Sequence, residues 1–128
     1  MKFLSKFEAY AYVALRIVFG FLFACHGASG IFLVLGGHRP VGTLHWAGAV
    51  IELVGGVLIF LGLFTRCAAF ISSGEMAVGY FKFHQPHTLL PISGAFPLVN
   101  HGELAVIYCF VALYIACRGA GKLGIDKS

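Results

Sequence analysis

Four long apolar runs, separated by short polar or turn-rich links, set the frame of this chain. Positions 9–35, 44–64, 67–83 and 101–117 are predominantly apolar, and each approaches the about 20 residues that a helix needs to cross a bilayer. "GGHRPVGT" (36–43) separates the first pair, and "TR" (65–66) makes a tight link between the second and third. "HQPHTLLPISGAFPLVN" (84–100), with Pro86, Pro91 and Pro97, separates the last two. The pattern predicts an all-α fold: an integral membrane four-helix bundle in one domain over 1–128, with no internal repeat. Ser5 followed by Glu8, and Asn100 followed by Glu103, have the spacing of capping boxes that open the first and fourth helices. The first run is too long, and its flanks too ordinary, for a cleaved signal peptide. The long third link carries Leu89, Leu90, Ile92, Phe96 and Leu98; such a loop reads as a lid folded over the bundle mouth.

Composition sharpens this picture. The chain has 128 residues, 59% hydrophobic and 11% charged, with a mean hydropathy of +0.91. Soluble domains carry roughly 25% charged residues, and one this small could not hide so much apolar surface. The net charge of +4 therefore bears on topology. No basic stripe or interleaved basic and aromatic run points to nucleic acid. Lys2, Lys6, Arg66, Arg118, Lys122 and Lys127 fall on one side of the spans, and Arg39 and Lys82 on the other. The bias of positive charge toward the cytoplasm predicts both termini inside. All six histidines (His26, His38, His45, His84, His87 and His101) then lie toward the outer face.

The stretch "AVIELVGG" (49–56) sets Glu52 among aliphatic residues and glycine. Arg16, Glu75 and, at the mouth of the last span, Glu103 are the other ionisable groups of the runs. A lone charge at mid-bilayer costs at least ~3 kcal/mol, so such residues face the bundle interior and find partners. Helical phase agrees. Gly48, Gly55 and Gly56 share a face with Glu52; Ala68, Ser72 and Gly79 share one with Glu75; Gly20 and Gly27 accompany Arg16. Small residues let helices approach closely. Glu52 and Glu75 each lie eight residues from the outer ends of their spans, about 12 Å deep, so they can meet. Arg16, deeper, is expected to reach up to one of them. The other carboxylate is then surplus and must be protonated, hydrogen-bonded or cation-bound, because two close carboxylates do not both ionise cheaply. The expectation is a polar pocket open outward, with Glu52 as one wall, Glu75 opposite and Arg16 holding them.

Plainer readings stand beside each residue. Arg16 with one glutamate would make a structural clamp. Glu103 would serve only the cap of Asn100, and His26 would bond a backbone carbonyl. His26 and His101, on different helices, could ligate a haem or copper ion, but no spacing motif supports this. Cys25, Cys67, Cys109 and Cys117 include no C-x-x-C pair and read as small core residues. Aromatic residues including Phe19, Phe23, Trp46, Phe83 and Phe96 would suit a flat hydrophobic ligand such as a quinone, although most of the 13 phenylalanines would simply face lipid.

Several stretches also resemble a known family. "LRIVFGFLFACHGASGIF" (15–32), "AVIELVGGVLIFLGLFTRCAAF" (49–70), "GEMAVGYFKFH" (74–84) and "FPLVNHGELAVIYCFVALYIACRGAGKLGID" (96–126) are similar to the DoxX family of small four-helix membrane proteins. Departures are small. His101 stands where the family often has glycine, and the chain closes on Gly124, Ile125, Asp126 where S-L-D is frequent. The resemblance implies kinship with small membrane subunits of thiosulfate:quinone oxidoreductases and with proteins of thiol or oxidative-stress defence. Its polar positions correspond here to Arg16, His26, Glu52, Glu75 and Glu103.

The sequence thus leads to a multi-pass protein of the bacterial inner membrane. It would be the membrane subunit of an oxidoreductase system, with partners among membrane or periplasmic redox proteins or further copies of itself. Glu52, Glu75 and Arg16 are the candidate catalytic residues. His26, Glu103, His101, Phe23 and Trp46 are the candidates for binding a quinone, with no metal site assigned. The alternative is a non-catalytic scaffold whose buried charges are structural; a small transporter is a third reading.

Overall fold

A computed structural model describes residues 1–84 and 96–127. Its regular structure is helical, and no strand occurs among the described residues. A 3-10 turn, Leu4–Phe7, leads into α1 (Glu8–Phe32). α2 (Leu44–Leu61) and α3 (Thr65–Gly79) follow, and α3 continues as a π turn over Tyr80–His84. A single helical turn, α4 (Pro97–Asn100), precedes α5 (Glu103–Arg118). Of the lid expected over 84–100, residues 85–95 lie outside the described residues; its described end forms α4, where Phe96 and Leu98 are exposed.

The apolar runs located the helices, and backbone conformation set their ends. α2 stops at Leu61 because Gly62 takes φ +71°, the left-handed conformation that ends helices and suits glycine. The fourth run yields α5, and the end of the link before it forms the separate turn α4, because His101 adopts φ +59° between the two. Neither expected capping box forms. The Ser5 hydroxyl donates to Lys2 O at 2.6 Å, and Glu8 pairs with Arg118. Asn100 Oδ1 accepts the Gly102 N–H at 2.9 Å, while its amide donates to the Tyr80 hydroxyl at 3.1 Å. Among the described residues, two helical stretches, Leu4–Phe32 and Leu44–Leu61, are long and apolar enough to cross a membrane by length and composition; α3 and α5, at 15 and 16 residues, are shorter.

Helix pairing follows the small residues. α1 lies on α2 with backbone against backbone. A methyl group on Gly20 would sit 2.5 Å from Phe60 N, one on Gly27 2.2 Å from Leu53 N, and one on Gly56 2.3 Å from Ala24 N. α3 meets α2 where Gly55 faces Ser72, and meets α5 where the Ser73 hydroxyl donates to Cys109 O at 2.8 Å. The thin core contains Phe19, Phe23, Ile59, Tyr108, Ala112 and Ile115. Phe19 and Phe23 stack 5.3 Å apart, and both meet Tyr108 edge-on. Much of the large apolar surface, including Phe21, Phe60, Phe70, Phe81 and Phe110, faces outward.

The end carrying both termini is tied by charged caps. Arg16 Nη1 donates to Ile59 O at 2.6 Å and Phe60 O at 2.8 Å, and Nη2 to Leu123 O at 3.2 Å. Arg66 donates to the carbonyls of Ala116, Cys117 and Arg118 at the end of α5. Asp126 accepts the N–H groups of Phe64 at 2.9 Å and Thr65 at 2.8 Å, where α3 begins. Cations thus sit at two helix C-termini and an anion at an N-terminus, the favourable arrangement against each helix dipole. The hydrogen bond from the Thr65 backbone, together with that from Phe64, holds the Asp126 carboxyl below its ordinary 3.8. A carboxyl with a lowered folded pKa contributes stability above its unfolded pKa and loses it as pH falls through the folded value. Thermal unfolding in detergent should therefore show an acid decline below about pH 4 that is shallower in Asp126→Asn. An identical acid limb in the two proteins would remove Asp126 as its source.

Candidate functional site

The opposite end holds the two glutamates. Arg39, in the link between α1 and α2, turns inward, and its stem passes over Gly30. A methyl group on Gly30 would come within 2.7 Å of Arg39 Cδ and 2.9 Å of Nε, so the missing side chain is what lets the guanidinium through. Arg39 Nη1 lies 2.9 Å from Glu52 Oε2, and Nη2 donates to Glu52 Oε1 at 3.3 Å. The guanidinium thus reaches both carboxylate oxygens, by one hydrogen bond to Oε1 and one close ionic contact with Oε2. Nη1 also reaches His45 O at 3.4 Å. Glu52 itself is 3% exposed.

Glu75 stands across from this pair on α3. Its Oε1 lies 2.9 Å from where a methyl group of Gly48 would be, so it rests against bare α2 backbone. Its Oε2 is buried and has no hydrogen-bond partner among the described residues. A cavity of about 100 Å³ separates the groups, lined by Arg39, His45, Glu52, Glu75, Phe83 and His84 among others. A second cavity, of about 190 Å³, adjoins it. The two share Leu44, Gly48, Glu75, Gly79 and Phe83, and Ile51, Ile71 and Val78 extend the second along α2 and α3. The π turn carries Phe83 and His84 to this place. Phe83 stacks on His45 at 4.2 Å, and His84 Nδ1 lies 3.3 Å from Asn100 O. Single π turns recur at functional sites because they re-aim side chains within a helix.

The sequence-predicted residues distribute unevenly over this site. Glu52 and Glu75 come together at one depth, as the spacing predicted. The pairing with Arg16 does not form. Gly27 packs at Leu53, the level of Glu52, and Arg16 is eleven residues away on the same helix, about 16 Å, beyond side-chain reach. It caps α2 instead, and Arg39 takes the expected place. His26 Nδ1 bonds Leu22 O at 2.9 Å on its own helix and meets Tyr108 edge-on at 5.7 Å. Phe23 is sealed in the core. Trp46 is half-buried in the first turn of α2, where its backbone N–H donates to Thr43 Oγ1 at 3.2 Å. His101 and Glu103 are exposed and line neither cavity. Of the aromatic residues singled out, Phe83 alone lines the two cavities. Among the described residues, no three His, Cys, Asp or Glu side chains gather to hold a metal. All four cysteines are free thiols, with Cys67 and Cys117 exposed.

Sequence reasoning missed Arg39 because counting loop charges assigned it to the surface. The available signal was its position, in a short glycine-flanked link directly before the helix that carries Glu52.

An all-helical chain with buried carboxylates between apolar helices is the class that these features define. The chain belongs to the DoxX family, whose pattern it matches over residues 11–85, and that family is membrane-associated. It is 39% identical, over 97% of its length and 94% of the relative's, to an "Uncharacterized protein" of Haemophilus influenzae. It is 25% identical to "Putative oxidoreductase CatD" of Bacillus subtilis, over 88% of this chain and 81% of that one. No solved structure matches.

Proposed function

We propose that this chain is the membrane subunit of an oxidoreductase system and takes a quinone-like ring into the cavity beside Glu75. In this reading α1, α2, α3 with its π turn, and α5 cross a bacterial inner membrane. The capped end and both termini face the cytoplasm, and the Arg39 end faces outward. The excess of Lys and Arg at the capped end supports that direction. The outward-facing apolar side chains suit lipid better than water. The printed name of the Bacillus subtilis relative supports the redox setting.

One observation carries the ligand site: a carboxylate oxygen, Glu75 Oε2, buried without a partner at the edge of a mainly apolar cavity. Buried polar groups are normally satisfied, so this atom awaits a hydrogen-bonding group. Quinone chemistry couples electron transfer to proton movement at the ring oxygens. Glu75 would hold or accept a proton there, and Phe83 with His45 would give the ring a flat wall. Glu52, neutralised by Arg39, would keep the far wall polar and fixed. The proton-exchanging role thus moves to Glu75 from the pair that the sequence suggested.

Glu75→Gln tests this. Removing the carboxylate should deplete quinone co-purified with the detergent-solubilised protein by about tenfold, equivalent to one hydrogen bond of ~1.4 kcal/mol, with the melting temperature nearly unchanged. A second reading, a non-catalytic scaffold, is favoured by the Arg39–Glu52 pair and by the Arg16, Arg66 and Asp126 caps, all of which tie segments together. If the wild type carries no quinone and Glu75→Gln changes nothing in its bound small molecules, the scaffold reading replaces the first.

A further inference from the structure

We propose that the occupant of the Glu75 cavity enters sideways from the hydrocarbon of the bilayer, between α2 and α3, and lays an apolar chain along those helices. This rests on the ligand site proposed above and names the class of molecule it takes: an amphiphile with a polar ring at one end and a flexible hydrocarbon tail.

The route is continuous. The 190 Å³ cavity beside Glu75 runs into an apolar trough of about 270 Å³ on the same face, and the two share Ile51 and Ile71. Val50, Val54, Gly55, Leu58 and Ala68 complete the trough, and no polar side chain lines it. Gly74, where an added methyl group would meet nothing within 4 Å, leaves the α3 side of the upper cavity hollow. Val54 and Ile71 are 53% and 56% exposed, so the trough is open along its length to whatever surrounds the helices. From Gly48, level with Glu75, to Leu58 is ten residues, about 15 Å. A compact headgroup fills only the upper end; an elongated molecule fills both.

Chemistry fixes which end is which. Glu75, whose Oε2 has no hydrogen-bond partner among the described residues, lines the upper cavity, whereas the partnerless Ser72 hydroxyl lies behind Gly55 and does not line the trough, so the hydrogen-bonding head belongs above and the tail below. Lipid tails are as apolar as the trough, so moving the tail from bilayer to protein yields little hydrophobic gain. The trough acts by shape. It orients the molecule so that the head arrives at Glu75 without crossing water.

The test uses the full-length protein in phosphatidylcholine vesicles and reads modification of Glu75 by mass spectrometry. Dicyclohexylcarbodiimide, an apolar carboxyl reagent that partitions into the bilayer, should modify Glu75, and a water-soluble carbodiimide should not. Ile71→Trp, at an exposed position where added bulk need not disturb the core, should slow the apolar reagent several-fold by obstructing the trough. Decyl-tailed quinone should protect Glu75 better than the same ring without a tail. Equal modification by both reagents, no modification by the apolar one, or no effect of Ile71→Trp would each overturn lateral entry. Ready disulfide formation between copies of Ile71→Cys would assign the trough to an interface between protomers and would equally overturn it. If lateral modification holds but no quinone protects, the entrance stands and the quinone reading of the site falls.

Discussion

Arg39→Ala is expected to be among the most damaging single substitutions in this protein, although Arg39 lies in a surface link. It would leave Glu52, 3% exposed, without its cation. Removing one partner of a buried ion pair costs about 3–5 kcal/mol, because the remaining charge stays desolvated. The Arg39 side chain is 18% exposed, so the loss should fall toward the lower part of that range. Arg39→Met together with Glu52→Gln should recover much of it by removing both charges and keeping the volume. Thermal unfolding of the two variants in one detergent checks this. A double variant no more stable than Arg39→Ala would mean that Arg39 acts through the fold of its link and not through Glu52.

Gly27→Val should disrupt the α1–α2 pair outright. The first added carbon would fall 2.2 Å from Leu53 N, 2.5 Å from Ala49 O and 2.7 Å from Leu53 Cα. All three are backbone atoms of a helix and cannot swing aside as a side chain can. Ordinary overpacking costs about 1–3 kcal/mol; here whole helices must separate, so the cost should exceed that. Gly74→Ala is the matched control. It has no neighbour within 4 Å, and alanine stabilises a helix interior by roughly 0.5–1 kcal/mol over glycine. Yield of monodisperse protein and melting temperature should collapse for the first and hold for the second. Equal behaviour of the two would show that the close approach of α1 and α2 does not govern stability.

The helices were legible because runs of apolar residues between glycine- and proline-rich links leave little choice of structure. The level at which Glu52 and Glu75 meet was legible too, since each lies equally far from the end of its run. The packing role of Gly20, Gly27 and Gly56 followed from helical phase. The partner of Glu52 did not. Phase states which face a residue occupies but not how far two antiparallel helices slide past each other, and that slide places Arg16 at Phe60. The caps escaped for a related reason. Asp126 serves α3 from 61 residues away, and the local spacing rules that suggested Ser5 and Asn100 search only within one turn.

The capped end has a consequence for the order in which the protein is made. Leu123 O accepts from Arg16 in the first helix, and Asp126 accepts the N–H groups of Phe64 and Thr65 where the third begins. Both lie beyond α5, so they leave the ribosome after α1 to α5 have been synthesised. Until then Arg16 lacks one of its three carbonyl partners and α3 lacks its anionic cap. A chain cut before Leu123 carries that incompleteness back into its first and third helices. The packing of the first and third helices thus reports whether the segment from Leu123 to Asp126 is in place.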